Sequence, residues 1–273
     1  MHSAPDSERW PVPLRFVCLG VTCAVLTACA SGPTLRLDTY TVGNARHAAA
    51  LAEGIAAQGA TRVGASILVQ YAPVMLALMQ DHNAVGELDE RLKACAVHAD
   101  ERGNALFFNN NRAPTRAECL EELAQDECGR PITRAMRLGQ QKHVLALECA
   151  RKVLEELWPA PFSIEQRYRF YPTARFVETI SPEKEASIIA QGCTEQLWGS
   201  IKPDIALHAD RNLLKAVLTL DFKFPCPDTN PPRWTPYGTS SPYSGKDQGV
   251  IYKEALGGRA MMISPRGIVV PHE

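Results

Sequence analysis

Two carboxylates and one ammonium fall close together in this chain. Asp204 follows Pro203 at the start of an apolar segment, Ile201 to His208 (IKPDIALH), and Asp221-Phe222-Lys223 closes a second one, Leu213 to Phe224 (LLKAVLTLDFKF). If both segments are strands joined by a turn, the two aspartates sit at neighbouring strand ends. Residues i and i+2 of a strand share a face, so Asp221 and Lys223 point together and Phe222 points into packing. Two carboxylates at that spacing are an oxygen-ligand set for a hard divalent cation, Mg²⁺ or Mn²⁺. Such a cation can orient and deprotonate a water and offset charge on a phosphate. Farther on, Gln248 and Tyr252 are four residues apart and lie on one face of an expected helix. Each residue also has a plainer role: Asp204 as a strand-start cap, Lys223 as an edge-strand charge, Tyr252 as core.

Pro203-Asp204, Asp221-Phe222-Lys223 and Gln248-Gly249-Val250-Ile251-Tyr252 together resemble the PD-(D/E)xK nuclease superfamily, the restriction-endonuclease-like fold. The later Gln-x-x-x-Tyr is similar to the extra motif of its exonuclease-type branch. The resemblance covers roughly the last 110 residues, an ordinary domain size. It implies that Asp204 and Asp221 ligate Mg²⁺ or Mn²⁺ with help from the Phe222 carbonyl. It implies that Lys223 positions water or stabilises charge on the phosphate, and that Gln248 and Tyr252 orient the site or hold nucleic-acid backbone. Family members often add a glutamate from a preceding helix; Glu148, Glu155 and Glu195 are the candidates. No GxSxG elbow, HExxH or Walker loop offers competing chemistry.

The elements that must position these residues follow from pattern. The expected fold class is α+β: a mostly helical N-terminal region over 44–159, then a small mixed sheet flanked by helices over 160–273. Residues 84–103 read as an amphipathic helix. Thr115-Arg116-Ala117-Glu118 has capping-box spacing and opens another helix, interrupted at Gly129-Arg130-Pro131. A long helix from Thr133 to Trp158 stops at Pro159-Ala160-Pro161. Ser163 to Tyr171 reads as a β-rich run with 174–180 as its hairpin partner. Ser181-Pro182-Glu183 caps a short helix. Pro225 to Asp247 is a loop, Gln248 to Leu256 a helix stopped by Gly257-Gly258, and 260–263 and 268–270 are short strands. Arg233, Trp234, Tyr237 and Lys246 on that loop either contact and stack on nucleic acid or belong to a proline-held surface loop. His208 reads as a strand-end residue.

At the other end, Leu26-Thr27-Ala28-Cys29 matches a bacterial lipobox, after an apolar stretch from Phe16 to Ala28 and the arginines 9 and 15. That pattern is a signal peptide over 1–28. Cys29 is the candidate lipidation site, and residues 29–43 are a tether. The plainer reading is a cleaved secretory signal with Cys29 incidental. Several acyl chains anchor stably where one does not, and no aspartate follows the cysteine, which implies the outer membrane. Residues 63–79 carry one charge-free apolar stretch containing Pro73. It suits a buried helix pair or a segment that enters a membrane.

Nine cysteines include Cys18 and Cys23 in the signal and Cys29. The six others (95, 119, 128, 149, 193, 226) suggest disulfides in an exported chain, with the pairing open and buried thiols as the alternative. The formal net charge is −1, and from residue 160 onward 13 Lys/Arg face 12 Asp/Glu. That balance is unlike a tight nonspecific duplex binder.

A lipobox joined to a nuclease-like domain is similar to polymorphic bacterial toxins, and more narrowly to lipoprotein toxins that myxobacteria exchange between kin through outer membranes. The resemblance implies an exported toxin that hydrolyses nucleic acid, DNA or RNA, anchored by lipid and paired with a cognate immunity protein. The competing expectation is a non-catalytic outer-membrane lipoprotein that acts as a scaffold.

Overall fold

The computed structural model describes residues 67–68, 73–126, 128–192 and 195–269. All of them belong to one compact unit spanning Asp38–Glu273. The signal peptide, Cys29, the tether and the first part of the expected helical region lie outside the described residues, as does part of 63–79.

Pro73 opens a helix. Helix α1 runs Pro73–Met79, with proline in the first turn, where its missing N–H costs nothing. Met75, Leu76, Ala77 and Leu78 are buried in the main core, which is the buried reading of this segment. No helix among the described residues is long and apolar enough to cross a membrane.

Helix α2, His82–Ala105, is capped by Asp81, whose side chain accepts from Asn83 N. Val85, Leu88, Leu92, Cys95, Ala96 and Ala99 form its buried stripe, the three-and-four spacing of a helix with one apolar face. The expected capping box is present: Thr115 and Glu118 satisfy each other's backbone N–H groups at the start of α3, Arg116–Leu120. That helix stops after one turn, however. A small antiparallel hairpin follows, β1 Glu122–Gln125 with β2 Pro131–Thr133, in place of a helix reaching Gly129. Helix α4, Arg134–Leu157, is capped by Thr133 and ends at Trp158 before Pro159.

Helices α2 and α4 run antiparallel, shown by the pairs Arg91–Glu156 and Asp100–Lys142. A Cys95–Cys149 disulfide joins them. They approach so closely at Gly103 that an added Cβ would lie 2.4 Å from Lys142 Cγ. The second described bridge, Cys119–Cys226, ties α3 to the loop after the motif strand. Cys128 is disulfide-bonded too.

The run 163–171 is not one strand. Glu165 has φ +50°, a left-handed turn that divides it into β3, Phe162–Ile164, and β4, Arg167–Tyr171. The two halves join different sheets. Strand β4 is central in a three-stranded sheet between β5, Phe176–Ile180, and β6, Ser200–Ile201. Ser181 caps α5, Pro182–Ile189, as expected. The main sheet has five strands in the order β10-β9-β8-β7-β3, where β7 is Ile205–Leu207, β8 Leu218–Phe222, β9 Arg259–Ser264 and β10 Gly267–Val269. Strands β3, β7 and β8 are antiparallel neighbours, whereas β9 is parallel to β8. Helix α6, Gln248–Leu256, makes the crossover that a parallel pair requires.

Strand alternation sorts the sheet's two faces. Ile205, Leu207, Leu218, Leu220 and Phe222 pack on the α2/α4 side, in one cluster with Leu92, Ala146 and Leu154. Ala206 packs on the α6 side with Tyr252, Ile251 and the β4 residues Tyr168 and Phe170. The helical region and the sheet therefore share one core, which runs across residue 160. The molecule is a mixed α+β structure.

Candidate functional site

Pro203 sits where the chain leaves the small sheet for the main one. It has no N–H to continue a ladder, which suits a position between paired strands. The next residue, Asp204, is buried and precedes β7. Its Oδ2 accepts the Phe222 N–H of β8 at 2.6 Å. Register extends this pairing: Ile205 faces Leu220, which sets Asp204 beside Asp221 across the ladder. Asp221 is 4% exposed.

Lys223 reaches back to Asp221, forming an ion pair with Oδ2. Its Nζ also donates to Gln248 Oε1 at 2.8 Å. The Tyr252 hydroxyl lies 3.3 Å from Asp221 Oδ1 and the same distance from the Lys202 carbonyl. Gln248 and Tyr252 thus point from one face of α6 onto the strand pair. All five residues read from the sequence as site candidates (Asp204, Asp221, Lys223, Gln248, Tyr252) meet in one place. The plainer role for Tyr252 holds as well, since it is also part of the core.

Sequence reasoning missed His143. It sits on α4, and its Nδ1 lies 3.1 Å from Asp204 Oδ2. Its ring meets Phe224 edge-on at 5.4 Å between centroids. The preceding helix therefore supplies an imidazole where a glutamate was expected. Glu148 and Glu155 are exposed on α4, and the Glu195 side chain lies outside the described residues. No local signal marks His143, because it comes from a helix on the opposite face of the sheet and far away in sequence.

The loop after β8 folds onto the site. Gln248 Oε1 accepts from Thr235 N at 3.3 Å, so one amide holds both the loop and Lys223. Trp234 packs edge-on against Tyr252, with the Lys223 ammonium 5.2 Å from its ring centroid, within cation–π range. Gly249 makes room for it: a Cβ there would fall 2.6 Å from the Trp234 ring. Trp234 Nε1 is buried with no hydrogen-bond partner. Tyr237 packs on Tyr243, and Lys246 pairs with Glu254 at 2.6 Å. Of the loop residues named as nucleic-acid contacts, these two are committed to structure, while Trp234 borders Lys223 and Arg233 is exposed. His208 is a buried strand-end residue, held by Ser163 Oγ at 2.9 Å and the Lys215 carbonyl at 2.6 Å.

The electrostatics are those of crowded carboxylates. Burial first, and the charge of Asp204 second, push the Asp221 carboxyl up to about 6 despite Lys223. Burial also raises Tyr252 well above the ordinary phenol value, with both aspartates adding to the shift. Burial lowers His143, but its hydrogen bond to Asp204 and that charge outweigh the loss and leave it raised.

Among the described residues, no three His, Cys, Asp or Glu side chains converge as a ligand cluster. The two carboxylates remain a fit for a hard cation held through one or two acidic side chains, with water or phosphate oxygens completing its shell. A divalent charge would offset both the burial and the repulsion from Asp204 that raise Asp221.

No family model matches the chain, and no curated protein or solved structure matches it either.

Proposed function

We propose that this protein is a metal-dependent phosphodiester hydrolase acting on nucleic acid, carried as the C-terminal toxin region of an exported lipoprotein. One observation carries the reading. Asp204 and Asp221, both buried, adjoin across two paired strands with Lys223 beside them, and Gln248 and Tyr252 reach them from the next helix. A chance motif match has no reason to bring all five together. The succession α4, β3, β7, β8, α6, β9 supports a restriction-endonuclease-like fold, with β4 to β6 and α5 inserted after β3. The disulfides support export to an oxidising compartment.

Asp204 and Asp221 would hold Mg²⁺ or Mn²⁺, which would supply a polarised water and offset charge on the phosphate. Lys223, steered by Gln248, holds its ammonium where the phosphate oxygens gather charge. His143 and the Phe222 N–H fix the Asp204 carboxylate. Tyr252 fixes Asp221 and closes the inner side of the site. Water attacks phosphorus and gives up a proton to solvent, a new P–O bond forms, the bond to the leaving oxygen breaks, and that oxygen takes up a proton from solvent. On this reading Cys29 carries the lipid, the outer membrane is the anchor, and a cognate immunity protein protects the producer.

A second reading rests on the same contacts. Both aspartates are already engaged by protein donors, as they would be in a non-catalytic scaffold. Expression of residues 38–273 in a bacterial cytoplasm, beside Asp221→Ala, separates the two. Growth arrest with nucleic-acid loss, abolished by the substitution, supports the hydrolase. Normal growth with folded protein supports the scaffold.

A further inference from the structure

A cleft of about 430 Å³ opens next to the site, lined by Lys223, Phe224, Pro225, Asn230 and Arg233 among others. Its lining differs from the aspartate side of the site: two cations, one aromatic ring and several prolines, with no carboxylate. Phe224 is half-buried and backed by Phe222, rings 6.2 Å apart and nearly parallel. Arg233 is exposed and pairs with no carboxylate among the described residues.

The cleft wall is fixed in advance. The Cys119–Cys226 bridge anchors it at one end. Asn230 Nδ2 donates to the Cys226 carbonyl at 3.0 Å, and Asn230 N to the Pro227 carbonyl at 3.0 Å. Proline on both sides removes further freedom. A wall ordered before binding does not lose that entropy when a ligand arrives.

We propose that this cleft receives one unpaired nucleotide next to the scissile phosphate, so that the substrate is single-stranded nucleic acid rather than intact duplex. The inference rests on the hydrolase reading above. A volume of this size lies within the range of small-ligand sites, about 300–1,000 Å³; it admits a single nucleotide and excludes a double helix. An aromatic ring and proline faces offer a stacking platform, which every base can use. Arg233, exposed and without a carboxylate partner among the described residues, supplies charge for a flanking phosphate, while Lys223 borders the scissile one. Duplex binders draw affinity from an extended basic surface, and 13 Lys/Arg against 12 Asp/Glu from residue 160 onward do not provide one.

The test uses the disulfide-bonded chain and a fluorescein-labelled 12-nucleotide oligodeoxynucleotide, single-stranded or as a blunt duplex. Anisotropy in EDTA reads binding, and gel analysis with Mn²⁺ reads cleavage. The single strand is expected to bind at least tenfold tighter than the duplex, and Arg233→Glu to weaken it at least tenfold with an unchanged melting temperature. Equal or tighter duplex binding, insensitivity to Arg233→Glu, or no detectable single-strand binding overturns the subsite. Cleavage of duplex without single-strand preference leaves the hydrolase standing and removes the subsite. Arg233-dependent single-strand binding with no cleavage in Mn²⁺ does the reverse.

Discussion

His143 Nδ1 lies 3.1 Å from Asp204 Oδ2, a contact that joins helix α4 to the start of strand β7. The imidazole N–H and the Phe222 N–H converge on one carboxylate oxygen. They fix the carboxylate's rotation. His143 acts as a positioning residue for Asp204, a role that outer-shell partners of ligating carboxylates commonly fill.

Removing that contact should loosen the cation before it unfolds the protein. His143→Ala is expected to weaken Mn²⁺ binding by about 10- to 100-fold, the usual cost of losing such a partner. Titration calorimetry measures it. Gln at this position, which keeps an N–H donor, should recover part of the affinity. Unchanged affinity in His143→Ala would show that Asp204 needs no such support.

The Asp221 carboxyl gives a pH signature without metal. Burial and Asp204 raise it from 3.8 to about 6 in the folded chain. Between those values the folded state holds a proton that the unfolded state has released. The stability from this group is therefore complete below about pH 4 and is lost as pH rises through about 6. A shift of roughly two units corresponds to about 3 kcal/mol. Urea unfolding of wild type and Asp221→Asn from pH 4 to 7 should show their difference moving by up to that amount in favour of the variant. A difference independent of pH would contradict the assigned environment.

Gly249 is expected to tolerate no side chain. In Gly249→Ala the methyl would stand 2.6 Å from the Trp234 ring, so the ring must leave its place between Tyr252 and Lys223. Overpacking of this kind costs about 1–3 kcal/mol. Tryptophan fluorescence and thermal melting should both change. Melting at the wild-type temperature would mean that the ring is not held there.

The Cys119–Cys226 bridge closes a sequence separation of 107 residues. A loop that long is worth about 4–5 kcal/mol in the chain-entropy account, with typical measured values of 2–4. Cys119→Ala with Cys226→Ala should lower stability by that order under non-reducing conditions. Denaturant unfolding beside the wild type checks it, and equal midpoints would contradict it.

Much of the site was legible because it is local and periodic. Asp221 and Lys223 announce a shared face by strand alternation, Gln248 and Tyr252 by helical spacing, and Thr115 with Glu118 by their cap. What stayed hidden was non-local or unmarked. His143 arrives from a distant helix. The turn at Glu165 uses a left-handed conformation at a glutamate, where glycine would have given warning, so one β-rich run concealed two strands of different sheets. Strands β1 and β2 are short and largely exposed, without the alternation that marks a half-buried strand. Cysteine pairing does not follow from cysteine positions.

The most direct measurement is cleavage by the purified, disulfide-bonded chain, with single-stranded DNA and RNA offered separately in EDTA, Mg²⁺ and Mn²⁺, for wild type, Asp221→Ala and Lys223→Ala. The account predicts cleavage only with metal, and at least a hundredfold loss in both variants while each still melts cooperatively. Folded wild-type protein that cleaves neither polymer with either metal, or variants as active as wild type, would contradict it.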